Sequence, residues 1–446
     1  MSNQEVTDDR SGDYASLTIP EEQRKSGLSI FFTTAGWIIC LSTMFTGGAL
    51  VAGLRFSQCF WAGLIGMGIL TLFSAPLAAI GGRYGVSTSM LSRYAFGKIG
   101  GAAFGLIVAI LLGIGWFAYQ TAFFGLTMST LLPHSFFANP IVGSLIGGIL
   151  MTFTAMYGYK GIAILSFVAV PLIVVLSLFG GIAGIQQSGG WATLLTIMPA
   201  KPITLFSGIT MVVGNAAMGA VVLSDLTRYA KNGKTGAVSA AGGYMLGGLF
   251  CIMAGAAMAV GANIPSIGTT PNLPAVMVAI GLGVGALFIL ILAQWTTNTA
   301  NVYSGGVGLG NFLPIRQRIL VLSMGLIGTV LAIVNIYAYF IPFLNVLGTI
   351  LPPIAGVMLA DYYVVHQLIL KKGYAFGTGT KYAQINWLSI VCAIAGAVIA
   401  SKLDFFTPSF TGIVIAFVLY SALALLFHAV KLPFTIGEYV EKETGL

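Results

Sequence analysis

Charge is what this sequence has least of. Of 446 residues only 7% are Asp, Glu, Lys or Arg, whereas 57% are apolar. A soluble domain would carry roughly a quarter of its residues charged. An exterior this apolar is stable in lipid, where a crossing helix needs about 20 mostly apolar residues. Chemistry-bearing residues are equally scarce. His134, His366 and His428 lie near the ends of apolar segments, and Cys40, Cys59, Cys251 and Cys392 sit inside apolar runs at no metal-ligand spacing. The cysteines read as small buried hydrophobes rather than as zinc or redox centres.

The acids avoid the apolar segments. Six of the twelve carboxylates fall in the first 27 residues, and Glu438, Glu441 and Glu443 lie in the last stretch. Asp404 sits in a polar loop, and Asp225 and Asp361 stand at segment ends. No acid or histidine is left for the middle of a bilayer. Proton-coupled carriers usually hold their proton on such a group, and a charged solute wants a buried counter-charge. The expectation is a neutral solute, coupled if at all to a metal cation held by uncharged oxygens. A membrane-embedded enzyme or a passive channel is the alternative from another class. The enzyme reading lacks its parts: no paired carboxylates, metal-spaced histidines or Ser/His/Asp set occur at one depth.

What is present is a succession of apolar segments and 59 glycines, the residue that lets membrane helices approach closely. The segments fall at 28–54, 57–80, 101–131, 140–157, 161–185, 205–224, 238–261, 275–302, 319–336, 338–361, 385–400 and 409–428. With twelve spans and both termini cytoplasmic, 17 of the 20 Lys and Arg lie inside and only Arg55, Lys201 and Lys402 outside. The positive-inside rule selects that topology. The same asymmetry accounts for the formal charge of +8 without a nucleic-acid partner, since the basic residues are scattered. Residues 1–27 lack the basic start and short apolar core of a signal peptide and read as a cytoplasmic tail.

Four polar stretches interrupt the apolar runs. The first span carries Ser42-Thr43-Met44-Phe45-Thr46-Gly47-Gly48 and the sixth Gly214-Asn215-Ala216-Ala217-Met218-Gly219. Helix breaks at these places would expose backbone groups to a solute, five spans apart; plain glycine-mediated packing is the alternative. In the third span Trp116 and Gln120 are four residues apart and share a helix face. A flat aromatic beside an amide suits a planar heterocycle, stacked on the indole and hydrogen-bonded at its edge. The eighth span carries Ala293-Gln294-Trp295-Thr296-Thr297-Asn298-Thr299-Ala300-Asn301. Its adjacent threonine hydroxyls, with a carbonyl three residues earlier, can offer hard neutral oxygens to an alkali cation.

The motifs Met44-Phe45-Thr46-Gly47-Gly48, Arg93-Tyr94-Ala95-Phe96-Gly97, Gly115-Trp116-Phe117, Asp225-Leu226-Thr227-Arg228-Tyr229, Trp295-Thr296-Thr297-Asn298 and Leu351-Pro352-Pro353 through Asp361-Tyr362 occur in one order along the chain. In that order they resemble the nucleobase:cation symporter-1 (purine–cytosine permease) family, and within it most the bacterial cytosine permeases. The resemblance implies an all-α membrane protein with a five-plus-five inverted repeat of the leucine-transporter type and two extra C-terminal helices. The divisions it suggests are a tail at 1–27, a ten-helix core at 28–366, two further helices at 367–430 and a tail at 431–446. It further implies sodium-coupled import of a neutral planar nucleobase, cytosine first, across the inner (plasma) membrane by alternating access, with no protein partner. By similarity Trp116 stacks on the ligand and Asn298 hydrogen-bonds it. Sodium would sit among the Gly36 and Ile39 carbonyls, the Ala293 carbonyl and the Thr296 and Thr297 hydroxyls.

The sixth span departs from the cytosine-permease pattern. Asn215, Ala216 and Met218 stand where those permeases have serine, phenylalanine and serine, while Gln120 resembles an amide of the family's hydantoin carrier. A pocket with amides at Gln120, Asn215 and Asn298 therefore keeps open a sodium- or proton-coupled carrier of hydantoin, allantoin, hydroxymethylpyrimidine or a purine base. Asp225 and Arg228 are expected to form an ion pair or gate latch.

Overall fold

The structure, a computed structural model, describes residues 17–430 apart from 200, 263–276, 312, 335, 337–339, 377–379, 381, 404 and 405. The expected tails at 1–16 and 431–446, Asp404, and residues 275, 276, 335, 338 and 339 of the expected spans lie outside the described residues.

Each apolar segment is helical over most of its described length, although the expected eighth span is non-helical at 280–283. The first span is α1 (Gly27–Ile38) and α2 (Leu41–Gly53), bent by 55°. There follow α3 (Phe56–Tyr84), α4 (Thr88–Leu131), α5 (Pro140–Met156) and α6 (Gly158–Gln187). The sixth span is α7 (Leu205–Val221) with the short α8 (Ser224–Thr227), and α9 (Gly233–Gly261) is the seventh. The remainder are α10 (Val284–Gly310), α11 (Gln317–Ile333), α12 (Phe340–Ala360), α13 (Trp387–Lys402) and α14 (Pro408–Ala429). Among the described residues, six of these segments are long and apolar enough to cross a membrane, and α1 with α2 makes a seventh. Side-chain caps start several of them: Asn139 accepts from Ile141 N–H ahead of Pro140, and Asn232 accepts from Thr235 N–H, satisfying donors that a helix start leaves open. Leu72, Val168, Phe179, Leu326 and Val418 are exposed, as a lipid-facing surface requires.

Two central helices organise the molecule. α9 packs against α1, α2, α3 and α6, and α10 against α4, α5, α6 and α11. Glycine sets the closeness of approach. Gly47 lies against the Ile252 carbonyl of α9 and Gly255 against the Met44 carbonyl of α2, with no room for a Cβ at either.

The breaks fall beside the expected places. Ser42–Gly48 and Gly214–Gly219 are both helical, and the chain leaves the helix at Ile39–Cys40 and at Val222–Leu223. Gly47 is spent on helix contact with α9, which holds its backbone in the α form. The eighth-span helix extends eight residues beyond the expected end at 302, so Thr296–Asn301 sits mid-helix.

At the end of α4 near residue 97 the chain is stitched to the C-terminal pair. Gly97 takes φ +81°, interrupting the helix, and the freed Lys98 and Ile99 N–H groups donate to the Ala383 and Gln384 carbonyls, while Asn386 N–H donates to Phe96 O. Asn386 Nδ2 and Ser389 Oγ both donate to the Ala95 carbonyl. Nearby, the fully buried Asp361 carboxylate accepts from Tyr374 Oη at 2.6 Å and Tyr420 Oη at 2.8 Å. Tyr94 stacks face to face on Tyr374 with centroids 3.8 Å apart.

Candidate functional site

The site forms where the break in the first span faces α4, α7 and α10. Ile39 and Cys40 take non-helical backbone angles between α1 and α2, Cys40 being extended. Ile39 N–H still donates to Ala35 O, but the carbonyls after Ala35 lose the donors a continuous helix would supply. The C-terminal end of α1 thus carries partial negative charge and the start of α2 partial positive charge, a pairing suited to a cation and to an electron-rich solute edge side by side.

α10 closes one side. Thr297 Oγ1 donates to Trp37 O at 2.9 Å and reaches Gly36 O at 3.4 Å. Thr296 Oγ1 donates to Leu292 O at 3.0 Å and Ala293 O at 3.2 Å. Thr297 thus joins α10 to the Gly36 and Trp37 carbonyls of α1, and the adjacent Thr296 turns to the Leu292 and Ala293 carbonyls of its own helix, with Ile39 at the break itself. The chemistry of these neutral oxygens fits an alkali cation. No group of three or more His, Cys, Asp or Glu side chains that could hold a metal occurs among the described residues.

Beside these oxygens is a cavity of about 30 Å³. Trp116, Gln120, Asn215 and Ala216 line it together with Thr297. Trp116 ends a π-helical turn, Ala109–Trp116, inside α4, where Gly113 meets Gly305 of α10 backbone to backbone; such turns often mark functional sites in helices. Gln120 is 0% exposed, and neither its Oε1 nor its Nε2 has a hydrogen-bond partner. A buried amide left so costs about 1–3 kcal/mol per unsatisfied group. Asn215 Nδ2 donates to Thr43 Oγ1 at 3.3 Å, and Tyr244 Oη donates to Ala216 O at 2.9 Å. No Asp, Glu, Lys, Arg or His is among the residues lining the cavity.

Asn298 is placed elsewhere. It is absent from the cavity wall, and its Nδ2 donates to Phe117 O and Thr121 Oγ1, both at 3.0 Å. Its side chain thereby fastens α10 to the stretch of α4 that carries Trp116 and Gln120. Asn301, one turn along, lines the cavity instead and accepts the Trp37 indole N–H at 2.8 Å. Trp37, Cys40, Ser42 and Thr43 also line it and were not selected from sequence. Asn301 stands four residues after Thr297, and that spacing could have found it.

Asp225 and Arg228 lie within electrostatic reach of each other, and each is also tied to a different helix. Asp225 Oδ1 accepts from Thr88 N–H at 2.8 Å, whereas Arg228 donates from Nε to the Asp225 backbone carbonyl at 3.2 Å and from Nη2 to Tyr303 Oη at 2.8 Å. The two residues tie the C-terminal part of the sixth span to α4 and α10 separately.

The sequence pattern of a family described as permease for cytosine/purines, uracil, thiamine and allantoin matches residues 18–424. The chain is 30% identical to the cytosine permease of Escherichia coli K12 over 381 residues, covering 85% of this chain and 86% of that one. It is 26% identical to the hydantoin permease of Microbacterium maritypicum, over 79% of this chain and 76% of the relative. In fold it is similar to a nucleobase-cation-symport-1 family transporter solved in a closed conformation with bromovinylhydantoin bound, with TM-score 0.79 at 19% identity over 94% and 96% of the two chains. It is also similar to a Na+-coupled sialic acid symporter, with TM-score 0.62 at 12% identity over 95% and 93%.

Proposed function

The chain belongs to the family of permeases, transporters rather than enzymes, for cytosine, purines, uracil, thiamine and allantoin, with the five-plus-five leucine-transporter fold, and on that premise we propose that it is a sodium-coupled symporter importing a neutral planar nucleobase, cytosine first, by alternating access. The observation carrying this reading is Gln120: a fully buried amide with both polar atoms open, one helical turn from Trp116 in the wall of an uncharged cavity.

The residues divide the work. Trp116 offers its ring face, and Gln120 offers one donor and one acceptor to the hydrogen-bonding edge of a heterocycle. Asn215 holds Thr43 at the start of α2 and lines the same space. Asn298 keeps α4 against α10, so that ring and amide stay in register. The Gly36, Ile39 and Ala293 carbonyls and the Thr296 and Thr297 hydroxyls would hold sodium, whose charge, when bound, draws α1 and α10 together. The cavity has room for one or two waters, so a six-membered ring needs α4, α7 or α2 to draw back before it enters. Cytoplasmic termini are part of this reading, supported by the distribution of Lys and Arg.

A hydantoin-type carrier is the second reading, favoured by Ala216 in the cavity wall where a second stacking aromatic would stand, and by the amides of Gln120 and Asn215. Uptake of labelled cytosine into liposomes containing the purified protein tests the first reading. Accumulation under an inward sodium gradient, and not under potassium, supports it; uptake indifferent to the gradient removes sodium coupling. Stronger competition by hydantoin or allantoin than by unlabelled cytosine moves the substrate to the second reading.

A further inference from the structure

The polar face of α10 does not end at the cavity. Thr297, Asn301 and Ser304 follow one another at four and three residues, so they stack on one side of the helix. The first two line the cavity, and Ser304 lies about 10 Å further along the axis, two turns from Thr297. There its side chain faces the carboxylate of Asp225, which the Thr88 side chain also faces.

This second cluster is dry and incompletely bonded. Asp225 is 1% exposed, and Thr88 and Ser304 are fully buried. Asp225 Oδ1 caps the backbone of α4 at Thr88; the Thr88 and Ser304 hydroxyls stand close enough to support the carboxylate, yet neither they nor Asp225 Oδ2 make a well-formed hydrogen bond. A carboxylate oxygen removed from water and left without a partner is among the costliest arrangements a protein can keep. The Arg228 charge favours the carboxylate from nearby, while its guanidinium donates to Tyr303 Oη and lies over the Tyr229 ring, 5.2 Å from its centroid.

We propose that Asp225 Oδ2, with the hydroxyls of Thr88 and Ser304, forms a second, transient site for the coupling monovalent cation, reached along the Thr297–Asn301–Ser304 face as the ion leaves the oxygens at Thr296 and Thr297. The inference rests on the sodium coupling proposed above. Hard oxygens suit an alkali ion, and a single carboxylate supplies one negative charge, too little for a divalent ion in a dry site. The fixed charge of Arg228 nearby keeps the affinity low, so the site passes the ion on rather than storing it. Asp225 is carried by the inner segment of the broken sixth span, so any movement of that segment alters this coordination directly.

Two variants test the site in the full-length protein reconstituted in liposomes. Asp225→Asn keeps an oxygen for the Thr88 N–H and removes the charge, and Ser304→Ala removes one hydroxyl. The readouts are half-saturating sodium for equilibrium binding of labelled substrate, net sodium-driven uptake, and substrate exchange with equal sodium on both sides, a mode that needs no ion release. The expected result is binding within twofold of wild type and exchange reduced less than twofold. Net uptake is expected to fall at least tenfold for Asp225→Asn and about threefold for Ser304→Ala. If Asp225→Asn does not fold, Ser304→Ala carries the test alone. Net uptake and exchange falling in parallel, or half-saturating sodium rising in step with them, overturns the second site. Wild-type binding and uptake indifferent to sodium would instead sink the coupling itself.

Discussion

The Trp37 indole N–H donates to Asn301 Oδ1 at 2.8 Å, while the Trp37 backbone carbonyl accepts from Thr297 Oγ1 at 2.9 Å. One residue at the end of α1 is therefore held twice by one face of α10, at the boundary between the neutral oxygens and the cavity. Trp37→Phe keeps the ring and removes the donor. Loss of one buried hydrogen bond costs about 1–2 kcal/mol, read as a lower midpoint in denaturation, and uptake is expected to fall about tenfold. A variant with wild-type transport would show that this tie is packing only.

Gln120 gives a prediction of opposite signs. Its amide has no partner in the protein, so Gln120→Leu removes an unsatisfied buried group and leaves stability unchanged or raised. Ligand binding should weaken about tenfold or more, the equivalent of at least 1.4 kcal/mol. Loss of stability together with retained binding would contradict the role given to this residue.

The threonine pair is tested through the ion. Replacing Thr296 and Thr297 by alanine removes two hydroxyls that the structure bonds only to backbone carbonyls of α1 and α10. Half-saturating sodium is expected to rise about tenfold or more with the helical circular-dichroism signal intact. An unaltered sodium requirement places the coupling ion elsewhere.

Away from the cavity, Tyr374→Phe takes one donor from the buried Asp361 carboxylate. A hydrogen bond to a charged group contributes about 1.5–3 kcal/mol, and a loss in that range is expected in denaturant unfolding. Burial, and after it Asp361 beside the ring, pushes the Tyr374 phenol well above its ordinary value of 10.0. The folded protein thus holds this proton more tightly than the unfolded chain. Stability tied to it is whole below about pH 10 and is lost as pH rises beyond that. Wild type, titrated from pH 7 to 11, should lose more stability than Tyr374→Phe does over the same range.

Much of this was legible in the sequence, because lipid imposes a simple rule on composition. The helical segments follow from where charge is missing, and Trp116 with Gln120 follows from a four-residue spacing inside an apolar run. The breaks were displaced because glycine has two uses in a membrane helix. Gly47 admits the Ile252 carbonyl of α9 rather than unwinding the chain, while the break falls at Ile39–Cys40, where composition gives no sign. Asn298 and Asn301 look equivalent in the run Thr297–Asn301. Only the packing of α10 against α4 turns the first toward Phe117 and Thr121 and the second toward the cavity. The open oxygens around Asp225 depend on three distant segments meeting, Thr88, Asp225 and Ser304, which no local pattern records.

The interruption at Gly97 fixes what can move with what. Its φ of +81° leaves space that a Cβ would lose to the Ala383 carbonyl at 2.7 Å, and the neighbouring N–H groups are satisfied by that same strip of chain. The third span and the strip ahead of the last two helices are consequently one mechanical unit at this end. A displacement of this end of α4 would therefore pull on the strip of chain ahead of α13, whereas α14 lies mainly against α12.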